Sequence, residues 1–275
     1  MMCFITYHHL PFFMIPQVSI IIINYKTPRL TTECIDSILK YTQWVDFEII
    51  LVDNGSWIQS REYFEKYLPD DQRIKMIYSP NNLWFGWGNN LWYANSVGQY
   101  IFFLNSDTLL YEDSVSILYQ QYKKISSGTM KIWLVGCRLY NDMKKTCIQI
   151  AGTRYVTVRR AIVASFPYLK NIFTDTYSTF VSNIDRNKSQ VLSAVCGAAF
   201  FVEKQIWDHL GRFDEHFFLY MEEFDLAMRC QRLWYQNYYT TETSIIHLEN
   251  QSPKITWKKM LFSLKSLLKF IYKFC

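Results

Sequence analysis

Five short polar runs in this chain carry side chains able to do chemistry. Asn24 closes the apolar run Val18 to Ile23, and Asp53-Asn54-Gly55-Ser56 closes Phe47 to Val52. Asn105-Ser106-Asp107 closes Tyr100 to Leu104, and His247 closes Ser244-Ile245-Ile246. The fifth run, Glu222-Glu223-Phe224-Asp225, is the densest in carboxylates. Asp53 fits two roles: Asp-Asn-Gly reverses a chain well, and a carboxylate there can accept a hydrogen bond from a nucleobase imide N–H. Asn105-Ser106-Asp107 fits a helix cap or loop, or an oxygen ligand for a hard divalent cation that also takes phosphate oxygens. The Glu222 to Asp225 run complements a helix N-terminus. On a helix Glu222 and Asp225 share a face, and Glu223 points elsewhere. Beside the aromatic stretch Phe217-Phe218-Leu219-Tyr220 a carboxyl tends to a raised pKa, which suits a general base. His247 is either structural or a partner of Asp107 at a metal.

These groups need a frame. Val18 to Asn24 reads as a strand buried on both faces. Thr27 as N-cap and Pro28 in the first turn start a helix that runs to about Tyr41. Strands over Phe47 to Val52, Ile74 to Tyr78 and Tyr100 to Leu104 alternate with helical stretches around Glu62 to Tyr67 and Asn89 to Gly98. That alternation predicts an α/β fold with a doubly wound, mostly parallel sheet. Ligands then bind outside the carboxyl ends of the strands, where the polar runs stand. The second half predicts a strand over Ile132 to Arg138 and another over Val191 to Val202, broken by Gly197. Helices follow over Lys204 to Leu210 and Glu222 to Leu233, with the turn Gly211 to Asp214 between them. A short strand is expected over Tyr238 to Thr241 and a further one ending at His247. Residues 150–190 show no clear period and read as a variable excursion over the site. The expected organisation is one domain over 18–252, a C-terminal helix over 253–275 and an N-terminal extension over 1–17.

Half of the 275 residues are hydrophobic and 19% are charged, which supplies a large core and excludes a disordered chain. The net charge of +5 is concentrated at the C-terminus, where Lys258, Lys259, Lys265, Lys269 and Lys273 stand without an acid after Trp257. No basic stripe upstream points to nucleic acid. Lys258, Lys265, Lys269 and Lys273 fall on one helical face, with Leu261, Leu264, Leu267, Leu268 and Ile271 largely on the other. Such a helix either packs on the domain with a solvated lysine face or makes peripheral contact with an anionic inner membrane leaflet. The seven cysteines form no CxxC pair and read as reduced thiols of a cytoplasmic protein. Residues 1–17 lack Lys and Arg and contain Pro11 and Pro16, unlike a signal peptide, and Met14 is a candidate start.

In their order along the chain, the motifs resemble glycosyltransferase family 2, the inverting enzymes with the GT-A fold, and most closely its rhamnosyltransferase-type branch. The matching pieces are Val18 to Tyr25, Val52 to Ser56, Asn82 to Asn90, Leu104 to Thr108, Cys196 to Phe200, Gly211 to Glu215, Phe217 to Tyr220, Glu222 to Leu226 and His247. The resemblance implies that Asp53 contacts the base, with Asn24, Asn54, Phe85, Gly88, Asn89, Asn105, Gly197 and Glu222 around the nucleotide-sugar. It implies Asp107 and His247 at a divalent cation, Mg²⁺ or Mn²⁺, and Glu223 as catalytic base. Two residues depart from the pattern: Trp84 stands where the family prefers Gly, and Glu223 where it usually has Asp. One extra methylene shifts the reach of the base by about 1 Å, enough to matter for a positioned group.

The implied reaction is a single displacement at the anomeric carbon. It moves a sugar from a dTDP- or UDP-type donor to a glycan or lipid-linked acceptor in bacterial surface polysaccharide synthesis. Two other readings compete. A nucleotidyltransferase should carry a Gly-rich loop after the first strand, and Asn24-Tyr25-Lys26-Thr27-Pro28 has none. A non-catalytic nucleotide-sugar or glycan-binding protein of the same fold is motivated by Trp84 and Glu223.

Overall fold

The computed structural model describes residues 15–149, 152–154, 156–165, 172, 184–217, 221–248 and 257–275. Strand β1 (Val18–Asn24) is central to its half of the sheet. Its β-branched run needs cover on both faces and receives it. Strands β2 (Phe47–Asn54), β3 (Ile74–Ser79) and β4 (Tyr100–Asn105) extend it in parallel, in the order β3-β2-β1-β4. Helices α1 (Pro28–Tyr41), α2 (Ile58–Tyr67) and α3 (Phe85–Tyr93) make the crossovers. Successive side chains of a strand face opposite ways. Ile20 and Ile22 accordingly join Ile35, Leu51 and Phe102 in one core layer, while Ile21 joins Ile50, Phe103 and Trp207 in the other. Each such fully buried side chain contributes about 1.5–3 kcal/mol.

Beyond β4 the sheet becomes mixed. Strand β10 (Ala199–Glu203) runs antiparallel between β4 and β6 (Ile132–Tyr140). Strand β11 (Gln236–His247) lies parallel to β6 and pairs antiparallel with β5 (Thr108–Leu109) and β8 (Gln190–Leu192). A separate ribbon joins β7 (Gly152–Thr153) to β9 (Ala194–Val195). Helices α4 (Ser114–Ser126), α5 (Val158–Ser165), α6 (Lys204–His209), α7 (Glu222–Arg232) and α8 (Trp257–Phe274) complete the described elements.

Four sequence expectations change in detail. The run expected as one strand over Val191 to Val202 is three pieces, β8, β9 and β10, with Gly197 between the last two. The two strands expected near Tyr238 and Ile245 are one strand, with a pairing irregularity between Thr240 and Ser244. Helix α3 starts at Phe85 rather than Asn89, because the turn at Trp84 launches it and packing offsets the weak propensity of Gly86 and Gly88. Thr27 occupies the N-cap of α1 without capping it by its side chain; Asn24 Oδ1 accepts from Thr27 N instead, at 3.2 Å.

Helix α8 packs against the domain, and its faces differ from the expected split. Ser263, Ser266, Leu267 and Phe270 are buried, at i, i+3, i+4 and i+7. Phe270 joins Ala161 of α5, Phe217 and Met221. Lys273, expected on a solvated lysine face, instead bridges Asp214 at 2.7 Å and Asp225 at 2.5 Å. Leu264 and Leu268, expected on a packed face, are exposed.

Candidate active site

Strand register brings the first polar groups together. Asn24 lies opposite Asp53 across β1 and β2, and its Nδ2 donates to Asp53 Oδ1 at 2.7 Å. Both are buried, and Asn24 also binds Ser56 Oγ and Thr31 Oγ1. Asn54 Oδ1 accepts from Leu83 N at 2.9 Å, and Asn54 Nδ2 donates to Asn82 Oδ1 at 3.2 Å. The loop before α3 is thereby tied to the end of β2. Gly55 makes this approach possible. It sits at φ +71, and a Cβ there would lie 2.9 Å from Asn81 Cα. Gly88 and Asn89 lie within α3, so the segment from Phe85 to Asn90 is helical backbone. Gly88 faces Ile23 and Asn54, where a Cβ would make ordinary contacts, so packing alone does not demand a glycine there. Asn89 is buried.

Trp84 precedes α3 at φ 62 and ψ 179. That backbone region is nearly reserved for glycine and strains a bulky residue. This is the physical reason for a glycine preference at the position. Here the ring makes a contact of its own, 4.7 Å from the ring of Phe262 in α8.

On the metal side, β4 delivers Asn105 to the same edge, opposite Ile23. Two residues on, Asp107 Oδ1 stands 3.3 Å from His247 Nε2. His247 Nδ1 is held 2.9 Å from Gln149 Oε1. The Gln149 contact fixes the ring orientation and points Nε2 toward the Asp107 carboxylate. An imidazole nitrogen and a carboxylate aimed at one another suit a shared cation. This donor set, one carboxylate and one imidazole with an oriented partner behind it, fits a divalent cation that takes its remaining oxygens from a diphosphate. Among the described residues no cluster of three or more His, Cys, Asp or Glu is arranged to hold a metal by itself.

The Glu223 side assembles differently. Glu222 and Glu223 open α7. Glu222 is buried, accepts from Met221 N at 2.8 Å, and lies near Gly86 of α3. Glu223 lies against Gly197: a Cβ added to that glycine would sit 3.1 Å from Glu223 Cγ and Cδ and closer still to Oε1. The glycine before β10 therefore makes room for the carboxylate. Glu223 as a whole is only partly buried, yet loss of water around its carboxyl pushes the pKa up from the usual glutamate value. The two sides meet at the β4–β10 seam, because Asn105 N donates to Ala198 O, next to Gly197, at 2.8 Å.

Several positioning residues carry little sequence signal. Gln149 orients His247 from the far side of a chain excursion. Asn90 is bound three ways to the turn before α7, donating to Phe213 O and Glu215 Oε1 and accepting from Phe213 N. Asp225 is fully buried between Arg229, at 2.7 Å, and Lys273. Burial raises the carboxyl of Asp214, but Lys273 and His216 outweigh it and hold that group well below the usual aspartate range. The thiol of Cys34 lies beneath Asn105 and Thr108, and burial pushes it up to about 12, which makes it inert packing. Residues Phe218, Leu219 and Tyr220 and the side chain of Phe85 lie outside the described residues.

Residues 19–211 match the model of the glycosyl transferase family 2. The chain belongs to that family. Among curated relatives, the glycosyltransferase GlyG of Streptococcus pneumoniae is 31% identical over 39% of this chain and 35% of its own length. The O-antigen biosynthesis protein RfbC of Myxococcus xanthus is 26% identical over 86% of this chain and 18% of its own length. The glycosyltransferase EpsJ of Bacillus subtilis is 35% identical over 47% of this chain and 36% of its own length. This family 2 chain thus spans about a third or less of the length of these relatives. A mannosyltransferase of Pyrobaculum calidifontis, solved with GDP-Man and Mn²⁺, superposes with a TM-score of 0.58 at 12% identity, over 94% of this chain and 64% of that one. The fold is GT-A, a mixed sheet flanked by helices.

Proposed function

We propose that this family 2 chain is a metal-dependent, inverting glycosyltransferase that takes a sugar from a dTDP- or UDP-type donor, as in a rhamnosyltransferase. The acceptor is a glycan or lipid-linked glycan in surface polysaccharide synthesis, reached by peripheral contact with the inner leaflet. The observation that carries this reading is the pairing of a cation-ready Asp107–His247 couple with a desolvated Glu223, joined through one strand seam. The O-antigen relative supports the polysaccharide assignment.

Asp107 and His247 would hold the cation, which when bound neutralises the charge of the departing nucleoside diphosphate. Asp53, fixed by Asn24, accepts from the base. Asn54 and α3 form the wall beside the diphosphate. Glu223 removes the proton from the acceptor hydroxyl as it attacks the anomeric carbon from the face opposite the leaving group. Its raised pKa strengthens it as a base, while Gly197 leaves its carboxylate room.

The test is nucleoside diphosphate release from a panel of UDP-, dTDP- and GDP-sugars with Mn²⁺ or Mg²⁺, in the presence of lipid-linked acceptor extract. Release from one donor, abolished by chelator and in Asp107→Ala, is the expected result. Binding of a donor with no turnover under any condition would replace this reading with a non-catalytic one.

A further inference from the structure

Helix α8 turns a distinct face outward. Leu264, Leu268 and Tyr272 follow one another at successive turns and are 45%, 59% and 92% exposed. Lys265 and Lys269 stand beside them on the same outer arc. Helix α3 repeats the arrangement. Trp87 and Leu91 lie one turn apart and are exposed. The two helices meet where the Trp84 ring contacts Phe262. Trp84 is the N-cap of α3, so α8 adjoins that helix at its start, within two turns of Trp87 and Leu91.

We propose that the outer faces of α3 and α8 together form a docking surface for an anionic phospholipid bilayer. This deepens the glycosyltransferase reading and rests on it for its purpose, presenting the site to a lipid-linked acceptor. The chemistry of the surface selects this occupant. Among the described residues no helix is long and apolar enough to cross a membrane, and an amphipathic basic helix binds in the plane of the interface. Trp and Tyr favour the headgroup level, where leucines enter the acyl boundary. The helix carries lysines and no acid, which complements anionic headgroups. Docking through the inner arc of α8 leaves this outer arc free to do so.

Flotation of the full chain with phosphatidylcholine vesicles, with and without phosphatidylglycerol, tests the surface. Nucleoside diphosphate release is read in parallel. Flotation of the unaltered chain only with anionic vesicles is expected. Leu264→Gln with Leu268→Gln should lower the bound fraction about tenfold or more. Leu91→Gln should lower it as well, since α3 belongs to the surface. Lys265→Gln and Lys269→Gln should each weaken binding about fivefold, and added salt should reverse binding of the unaltered chain. Absence of flotation, or equal flotation of every variant, overturns the proposal. A dimer in light scattering that the leucine variants dissolve, without vesicle binding, also overturns it and assigns the face to a second copy. Flotation without turnover would instead sink the enzymatic reading and leave the docking surface standing.

Discussion

The proposed nucleotide side and the proposed base side of this site are built by different means. Asn24 and Asp53 end adjacent parallel strands, and backbone register sets the spacing between them. Gly197 and Glu223 touch across a turn, a helix start and the junction of two sheet fragments. The first arrangement needs only strand pairing. The second needs α7 to be held at one height, and that depends on Asn90, Asp214, Asp225 and Lys273. The nucleotide side should therefore tolerate change in its surroundings better than the base side.

The sharpest break of that comparison is at the base itself. Glu223→Gln should lower turnover by about 10²–10⁴-fold while donor KM stays near its original value, read by nucleoside diphosphate release. Folding raises the carboxyl pKa, so ionisation costs stability as pH rises from the unfolded value, about 4.3, through the folded one. The glutamine variant should accordingly melt higher than the parent at pH 7, with the gap closing in acid. Lost donor affinity with retained turnover would remove Glu223 from its role.

Gly197→Ala tests positioning rather than chemistry. Its Cβ must displace Glu223, and a misplacement near 1 Å costs about 10²-fold. A rate within twofold of the parent would show that the base does not depend on this contact. On the metal side, Gln149→Ala should weaken apparent Mn²⁺ affinity about 10–100-fold in a titration of activity against metal, with the rate at saturating metal largely kept.

Smaller effects follow at α8. Lys273→Met removes a cation shared by Asp214 and Asp225 and should cost about 1–3 kcal/mol in denaturant unfolding. The depressed Asp214 carboxyl contributes stability above its unfolded value, about 3.9, and loses it as pH falls through the lower folded value. The difference between parent and variant should therefore shrink in acid. Smallest is Trp84→Gly. It releases backbone strain of about 1–3 kcal/mol and gives up a ring contact of about 0.5–1.5 kcal/mol, so melting should rise slightly or hold. A large loss of stability would mean that the Trp84–Phe262 contact anchors α8 more firmly than its area implies.

Much of the strand frame under the proposed nucleotide side was legible in the chain. β-branched runs ending in polar residues announce buried strands and place Asn24, Asp53, Asn54 and Asn105 at one edge, because parallel pairing aligns carboxyl ends. Helix α7 was legible as well, from its acidic start. Less was legible in α3, whose glycines argue against a helix until Asn90 clamps it to Phe213. The antiparallel insertion of β10 between β4 and β6 left no local trace, since an apolar strand reads alike in either direction.

From the chain alone could be read which polar side chains end the apolar runs, and so which are proposed to meet a base, a cation and a proton. Those are properties of residue type and local period. Packing alone settled that Gln149 orients His247, that Glu223 loses its water against Gly197, and that α8 docks through Lys273 and Leu267 with Leu264 and Leu268 outward. Each of those depends on contacts between segments far apart in the chain, and such contacts are set by how the whole core packs.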